Sequence, residues 1–139
     1  MVITFLPYKD FKQSALCLDY KRLGKQRVEA MQIYNIVSGR TVKKGWRNHP
    51  CTKMWYGYPA ALANYINIFI DEWVSRGYLN TMQKQDDSNI ILPWWMEDEN
   101  TMNKIMESHR SNLIRKNLAF YSKYHWLVSN DIKYYWPCQ

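Results

Sequence analysis

Apolar residues recur along this chain at helical rather than strand spacing. Asp10 followed by Gln13 reads as a capping box, and Ser38-Gly39 reads as a helix stop. The spacing predicts one helix between them of about 28 residues, roughly 42 Å long at 1.5 Å per residue. Leu16, Tyr20, Leu23, Ala30, Met31, Tyr34 and Val37 share one face at the 3.6-residue period. Leu18 and Ile36 fall on the opposite side, so this helix is expected to thread through the middle of the domain.

A loop over 40–49 follows, and Pro50 opens a short helix carrying Met54 and Trp55. Gly57-Tyr58-Pro59 interrupts it. The next helix is predicted over Ala60 to Arg76, burying Leu62, Tyr65, Ile66, Phe69 and Trp73, with Gly77 as its stop. Residues 78–98 read as irregular, polar and acidic until Leu92-Pro93-Trp94-Trp95-Met96. A third helix is predicted over Asn100 to Lys116 on the stripe Met102, Ile105, Met106 and Leu113. A helical turn over Ala119 to Tyr124 and the tail Tyr134-Tyr135-Trp136-Pro137 close the chain. No hairpin, repeat or linker is visible. The expected fold is all-α: a compact single domain over 1–139, with a long central N-terminal helix, two further main helices and an aromatic C-terminal tail.

Composition narrows the functional classes. At 139 residues, with 47% hydrophobic and 16% aromatic positions, the chain is globular and large enough for one sizeable core. Its longest apolar run, Ile90 to Met96, has seven residues and contains Pro93, so no membrane helix is expected. Met1 to Pro7 has no basic stretch ahead of an apolar one, so no signal peptide is expected either. Three cysteines without a short-spaced pair argue against a disulfide scaffold and point to a reducing cytoplasm.

The formal net charge is +7, unevenly placed. Residues 1–53 carry a net +8, residues 54–103 a net −5 and residues 104–139 a net +4. Two basic ends that meet in space would form the face of a polyanion binder; the plainer reading is a solvated lysine surface. Interleaved Trp, Tyr and His favour nucleic acid, because aromatic faces beside cations suit base stacking next to phosphate contacts.

The densest cluster is Lys21-Arg22-Leu23-Gly24-Lys25-Gln26-Arg27-Val28-Glu29. On a helix, Arg22, Lys25 and Glu29 fall within about 60° of one another. Structurally, this pattern fits a Lys25–Glu29 ion pair and a bridged, buried Arg27. Functionally, it fits a phosphate clamp enclosing one carboxylate, able to stabilise a sugar cation or move a proton. Gly24 in mid-helix costs about 1 kcal/mol relative to Ala, so a packed helix or a phosphate is expected close to its backbone.

A second candidate is the basic loop with Lys43, Lys44, Trp46, Arg47 and His49. Trp46 there either stacks on a base or anchors the loop to the core. A third is His109, Arg110, Arg115 and Lys116, read as phosphate contacts or as charge at a helix end. His49, His109, His125 and the cysteines show no metal-ligand spacing, so no metal is expected. No phosphate-binding glycine loop, dinucleotide fingerprint or serine-nucleophile elbow is present.

Thr4 to Tyr8, Leu18-Asp19, Arg22 to Ala30, Gly45 to Pro50, Met54-Trp55 with Gly57-Tyr58, Ser108 to Ser111 with Arg115-Lys116, and Trp136-Pro137 together carry a resemblance. They look like a bacterial and phage group of small proteins placed with the pyrimidine-dimer DNA glycosylases, the endonuclease V-like family. The resemblance implies a DNA glycosylase and abasic-site lyase that needs no cofactor. Its nucleophile would be the α-amine of the mature chain, supplied by Val2 once Met1 is removed, with Lys25 as the internal alternative. An α-amine with a pKa near 7.7–8.0 is about a tenth neutral at pH 7, against under about 0.1% for an ordinary lysine. Glu29 would stabilise charge on the sugar. The family's Arg-Glu-Leu triplet reads Lys21-Arg22-Leu23 here, with Arg where that family carries its glutamate. Nucleic-acid contacts are expected from Arg22, Lys25, Lys43, Lys44, Trp46, Arg47, His49, His109, Arg110, Arg115 and Lys116. The expected partner is damaged or modified duplex DNA, bound by a monomer in a bacterial or phage-infected cytoplasm or nucleoid. The alternative is a non-catalytic module for distorted duplex, and stacking alone does not exclude RNA.

Overall fold

A computed structural model describes residues 2–41 and 45–137, and every regular element among them is helical. The order is α1 (Phe11–Cys17), α2 (Tyr20–Val37), α3 (Pro50–Lys53), α4 (Pro59–Ser75), α5 (Trp94–Glu97), α6 (Glu99–Lys116) and α7 (Leu118–Tyr121), the last running into a 3₁₀ turn over Ser122–Tyr124. The all-α expectation holds, and α4 and α6 begin and end within a residue of their predicted bounds.

The single long N-terminal helix does not. Leu18 (φ −77°, ψ 143°) and Asp19 (φ −65°, ψ 160°) are extended and divide it into α1 and α2. Such a break strands the last carbonyls of α1, which need donors. Arg76, just past α4, supplies them, donating to the carbonyls of Leu18 at 2.8 Å and of Ala15 and Leu16 at 3.1 Å. Glu72 holds that guanidinium through its Nε at 2.7 Å, and the Tyr124 hydroxyl donates to the Cys17 carbonyl. The break re-aims the predicted apolar face. Leu18 becomes fully buried, while Leu16 and Tyr20 turn outward and are each half exposed.

The α2 helix packs across α4, and Gly24 marks the closest approach. A Cβ on Gly24 would lie 2.8 and 2.9 Å from two ring carbons of Trp73. Of the two readings of Gly24, the packed helix is therefore the observed one. Trp73 is pinned: its indole N–H donates to the Leu79 carbonyl at 2.9 Å, Tyr78 stacks on one face, and the Arg27 guanidinium lies 4.3 Å from its ring centre. Arg27 is thus held by a cation–π contact and by Asn80, at 2.7 Å, rather than by a carboxylate.

The most unusual element is not a helix. Val2 to Pro7 run extended through the interior and are all buried. No strand flanks them, so side chains must satisfy their backbone groups. The Ile3 N–H donates to Glu29 Oε2 (3.1 Å), the Phe5 N–H to Gln26 Oε1 (2.7 Å) and the Leu6 N–H to His109 Nδ1 (2.7 Å). Tyr65 donates to the Phe5 carbonyl (2.9 Å), Arg110 Nε to the Pro7 carbonyl (2.7 Å) and Trp55 Nε1 to Thr4 Oγ1 (3.1 Å). The α2, α4 and α6 helices therefore all grip the same six residues.

Gly24→Ala tests the helix crossing. Alanine gains about 1 kcal/mol of helix propensity, but overpacking against a pinned ring costs about 1–3 kcal/mol. The expected outcome is a lower urea midpoint in unfolding followed by tryptophan fluorescence. A raised midpoint would show that Trp73 yields.

Candidate functional site

The α2 face predicted to gather charge does so at the wall of a cleft. Arg22, Lys25 and Glu29 line it together with Lys21 and Gln26 from the same helix, and the opening measures about 320 Å³. Ile3 and Phe5 of the N-terminal segment form its floor, and Lys116 and Tyr134 close the far side. Lys21, Arg22 and Lys116 continue into an adjoining recess of about 500 Å³ bounded by Asp19, Tyr20 and Phe120. The result is one cationic groove with a carboxylate set at one end.

Glu29 is buried, and its two oxygens have different tasks. Oε2 accepts the Ile3 N–H at 3.1 Å, and Oε1 lies 3.6 Å from Lys25 Nζ. The second contact is the ion pair expected from i,i+4 spacing; the Lys25 side chain is 70% exposed and free to swing. Arg22 is less free. One of its guanidinium nitrogens lies 3.2 and 3.3 Å from the two Asp19 oxygens, and Asp19 is itself buried against the Tyr121 hydroxyl. The cleft's cations thus differ in commitment: Arg22 is braced, Lys25 covers Glu29, and Lys116 has no ion-pair partner among the described residues. Burial and the nearby charges of Arg22, Lys25 and Arg115 hold Lys116 below the ordinary lysine range, with Glu29 opposing them. Tyr134 turns a buried hydroxyl without a hydrogen-bond partner into this region, and burial pushes its pKa up to about 12.

Other residues expected to meet phosphate are placed differently. His109 is 1% exposed and serves the N-terminal segment instead. Because its Nδ1 accepts from Leu6, it is neutral with the proton on Nε2, and burial lowers its pKa to about 3. Arg110 is sandwiched over Tyr8 and Trp126, at 4.6 and 5.4 Å, while bonded to Pro7. Arg115 is spent on Asn112 and on the Asn130 carbonyl, pinning the tail. The periodicity of α6 could not separate these roles, since they depend on what the two termini bring against it.

Lys43 and Lys44 lie outside the described residues. Trp46 beside them is no core anchor: it is 43% exposed, adopts a left-handed backbone (φ 63°) and meets His49 edge-on. His49 caps α3 by accepting the Cys51 N–H at 3.0 Å, packs against Trp136, and has its pKa lowered by burial. Arg47 is exposed. Trp46 borders a second hollow of about 350 Å³ with Gln32, Asn35 and Ile36. These three follow Glu29 along α2, so the hollow begins about one turn beyond the cleft. Val2 is 1% exposed, one residue from the Ile3–Glu29 bond. Lys21, Gln26, Asp19 and Tyr134 were not anticipated as site residues. Gln26 carried a signal, standing three residues before Glu29 on the same helix. Among the described residues, no group of three or more His, Cys, Asp or Glu is placed to hold a metal ion. No helix among them is long and apolar enough to cross a membrane.

Burial of His109 has a pH consequence. Folded, it titrates near 3; unfolded, near 6.5, so between these values the unfolded chain binds the proton first. Stability is therefore complete above about 6.5 and declines as the pH falls toward about 3. His109→Asn keeps an acceptor but no titrating ring, and its urea midpoint should fall less steeply over that window. Parallel curves for the two proteins would exclude His109 as the source.

A family model described as pyrimidine dimer DNA glycosylase matches residues 2–86. No curated protein and no solved structure matches the chain. The matched stretch spans more than half of the sequence and contains the N-terminal segment, Arg22, Lys25 and Glu29. The chain belongs to the pyrimidine dimer DNA glycosylase family, whose substrate is DNA.

Proposed function

We propose that this protein removes a damaged or modified base from duplex DNA and cleaves the strand at the resulting abasic site, working as a monomer without a cofactor. The observation that carries this reading is the position of Glu29, a buried carboxylate in a cationic cleft, held by the backbone N–H of residue 3. The nitrogen of Val2 is one residue further along, at most about 3.6 Å of chain. Removal of Met1 would turn that nitrogen into an amine beside the carboxylate. The amine attacks the sugar C1′, the base departs, and the ionised Glu29 stabilises the positive charge that develops on the sugar.

The cations have matching tasks. Phosphates on the groove draw Lys25 away from Glu29, which leaves Oε1 facing the sugar. Arg22, already braced by Asp19, meets phosphate with little further ordering. Trp46, exposed beside Arg47, stacks on a base next to the groove. This arrangement answers the Arg at position 22 where the family's triplet carries glutamate, because Glu29 reaches the N-terminal segment from two turns further along α2.

The test pairs Glu29→Gln with a salt titration. Duplex carrying an ultraviolet photoproduct or an abasic site should be cut by the wild type. The variant should lose at least about a hundredfold in rate, the scale of one positioned acid–base group. Binding of both should weaken with salt at a log–log slope of about −0.9 per phosphate engaged. Salt-sensitive binding with no cleavage by the wild type would replace this reading with a non-catalytic module for distorted duplex.

A further inference from the structure

Four cations line the groove, and their geometry separates the ones that hold DNA from one that is able to react. Arg22 cannot form an imine and is bound to Asp19. Lys25 lies against Glu29, and Lys21 stands on the same helix one turn before it. Lys116 arrives from the opposite wall at the last residue of α6, lines both parts of the groove, and has no ion-pair partner among the described residues. We infer that Lys116 is a second amine able to form a Schiff base with an abasic sugar, so that strand cleavage does not depend on the chain's α-amine alone. The inference rests on the lyase reading above and names a further catalytic residue for it.

Three observations support it. Lys116 is exposed at the groove while Val2 is 1% exposed, so the lysine reaches an aldehyde lying in the cleft without rearrangement of the core. The cations around it are Arg22, Lys25 and Arg115, and Glu29 opposes them. Partial desolvation of the side chain and those three cations favour the neutral amine, the nucleophilic form. Finally, Lys116 and Glu29 line the same cleft of about 320 Å³, so amine and carboxylate face one opening.

The chemistry balances without a cofactor. Neutral Nζ adds to the C1′ aldehyde of the ring-opened abasic sugar, the carbonyl oxygen leaves as water, and a proton taken up from solvent makes the resulting imine an iminium. Glu29 accepts a proton from C2′, and the electron pair released expels the 3′ phosphate. Water then hydrolyses the unsaturated iminium, freeing Lys116 and an unsaturated aldehyde on the cut strand.

Borohydride reduction on abasic duplex, followed by tryptic mapping of the full-length protein, tests this directly. Trypsin does not cut after a reduced, sugar-bearing lysine, so the expected adduct lies on the peptide 116–123, released after Arg115. It should be present alone or beside an N-terminal adduct. Lys116→Arg keeps the charge but cannot form an imine; it should lose that adduct, whereas wild type treated in parallel retains it. Blocking the α-amine by acetylation should leave wild-type cleavage measurable and make it dependent on Lys116. Adducts confined to any other peptide, with Lys116→Arg trapping as well as wild type, would overturn the inference and leave the lyase reading standing. No adduct and no cleavage would instead overturn the lyase reading itself.

Discussion

Six buried residues without a strand partner govern this molecule. An extended segment inside a protein exposes a donor and an acceptor at each peptide, and each left unpaired costs about 1–3 kcal/mol. A sheet would satisfy them with neighbouring backbone. Here the satisfaction comes from side chains: Glu29 and Gln26 on α2, Tyr65 on α4, and His109 and Arg110 on α6. Each of these five side chains answers a particular peptide of residues 3–7. The pairing works in both directions, since Glu29 and His109 would be costly to bury without it.

That bargain also builds the site. A carboxylate on a basic helix would ordinarily turn to solvent or collapse onto the nearest lysine. Ile3 holds one oxygen of Glu29 inward, which leaves only the other to Lys25. Cations on the outer wall then face a negative charge that cannot move out to meet them. Arg22 is kept from it by Asp19, and Asp19 is anchored by Tyr121. The groove keeps its positive field while retaining one fixed carboxylate, and this separation of charge is what sugar-cation chemistry on a polyanion requires.

The parts legible in the sequence are those set by local periodicity. The bounds of α4 and α6 and the meeting of Arg22, Lys25 and Glu29 on one face follow from spacing within one element. What could not be read depends on residues far apart. The break at Leu18 and Asp19 exists because Arg76, about sixty positions later, supplies donors for the stranded carbonyls. His109 looked like a phosphate ligand because the N–H it accepts from, that of Leu6, lies more than a hundred residues away. Trp46 was open to either reading, as an indole is amphipathic and only its left-handed backbone turns it outward.

The family match ends at residue 86, yet the site does not. Lys116 and Tyr134 close the cleft, and His109 and Arg110 hold the segment that fixes Glu29. The C-terminal tail is itself tied to α6: Ser111 receives the Ile132 N–H and Ser108 the Tyr135 N–H. Residues 2–86 would therefore retain the helix that bears Glu29 but lose two of the grips on residues 6 and 7 and one wall of the groove. Loosening those grips frees Ile3, and with it the Oε2 contact that keeps Glu29 inward. The carboxylate carried by the first half of the chain thus needs the second half to hold it in place.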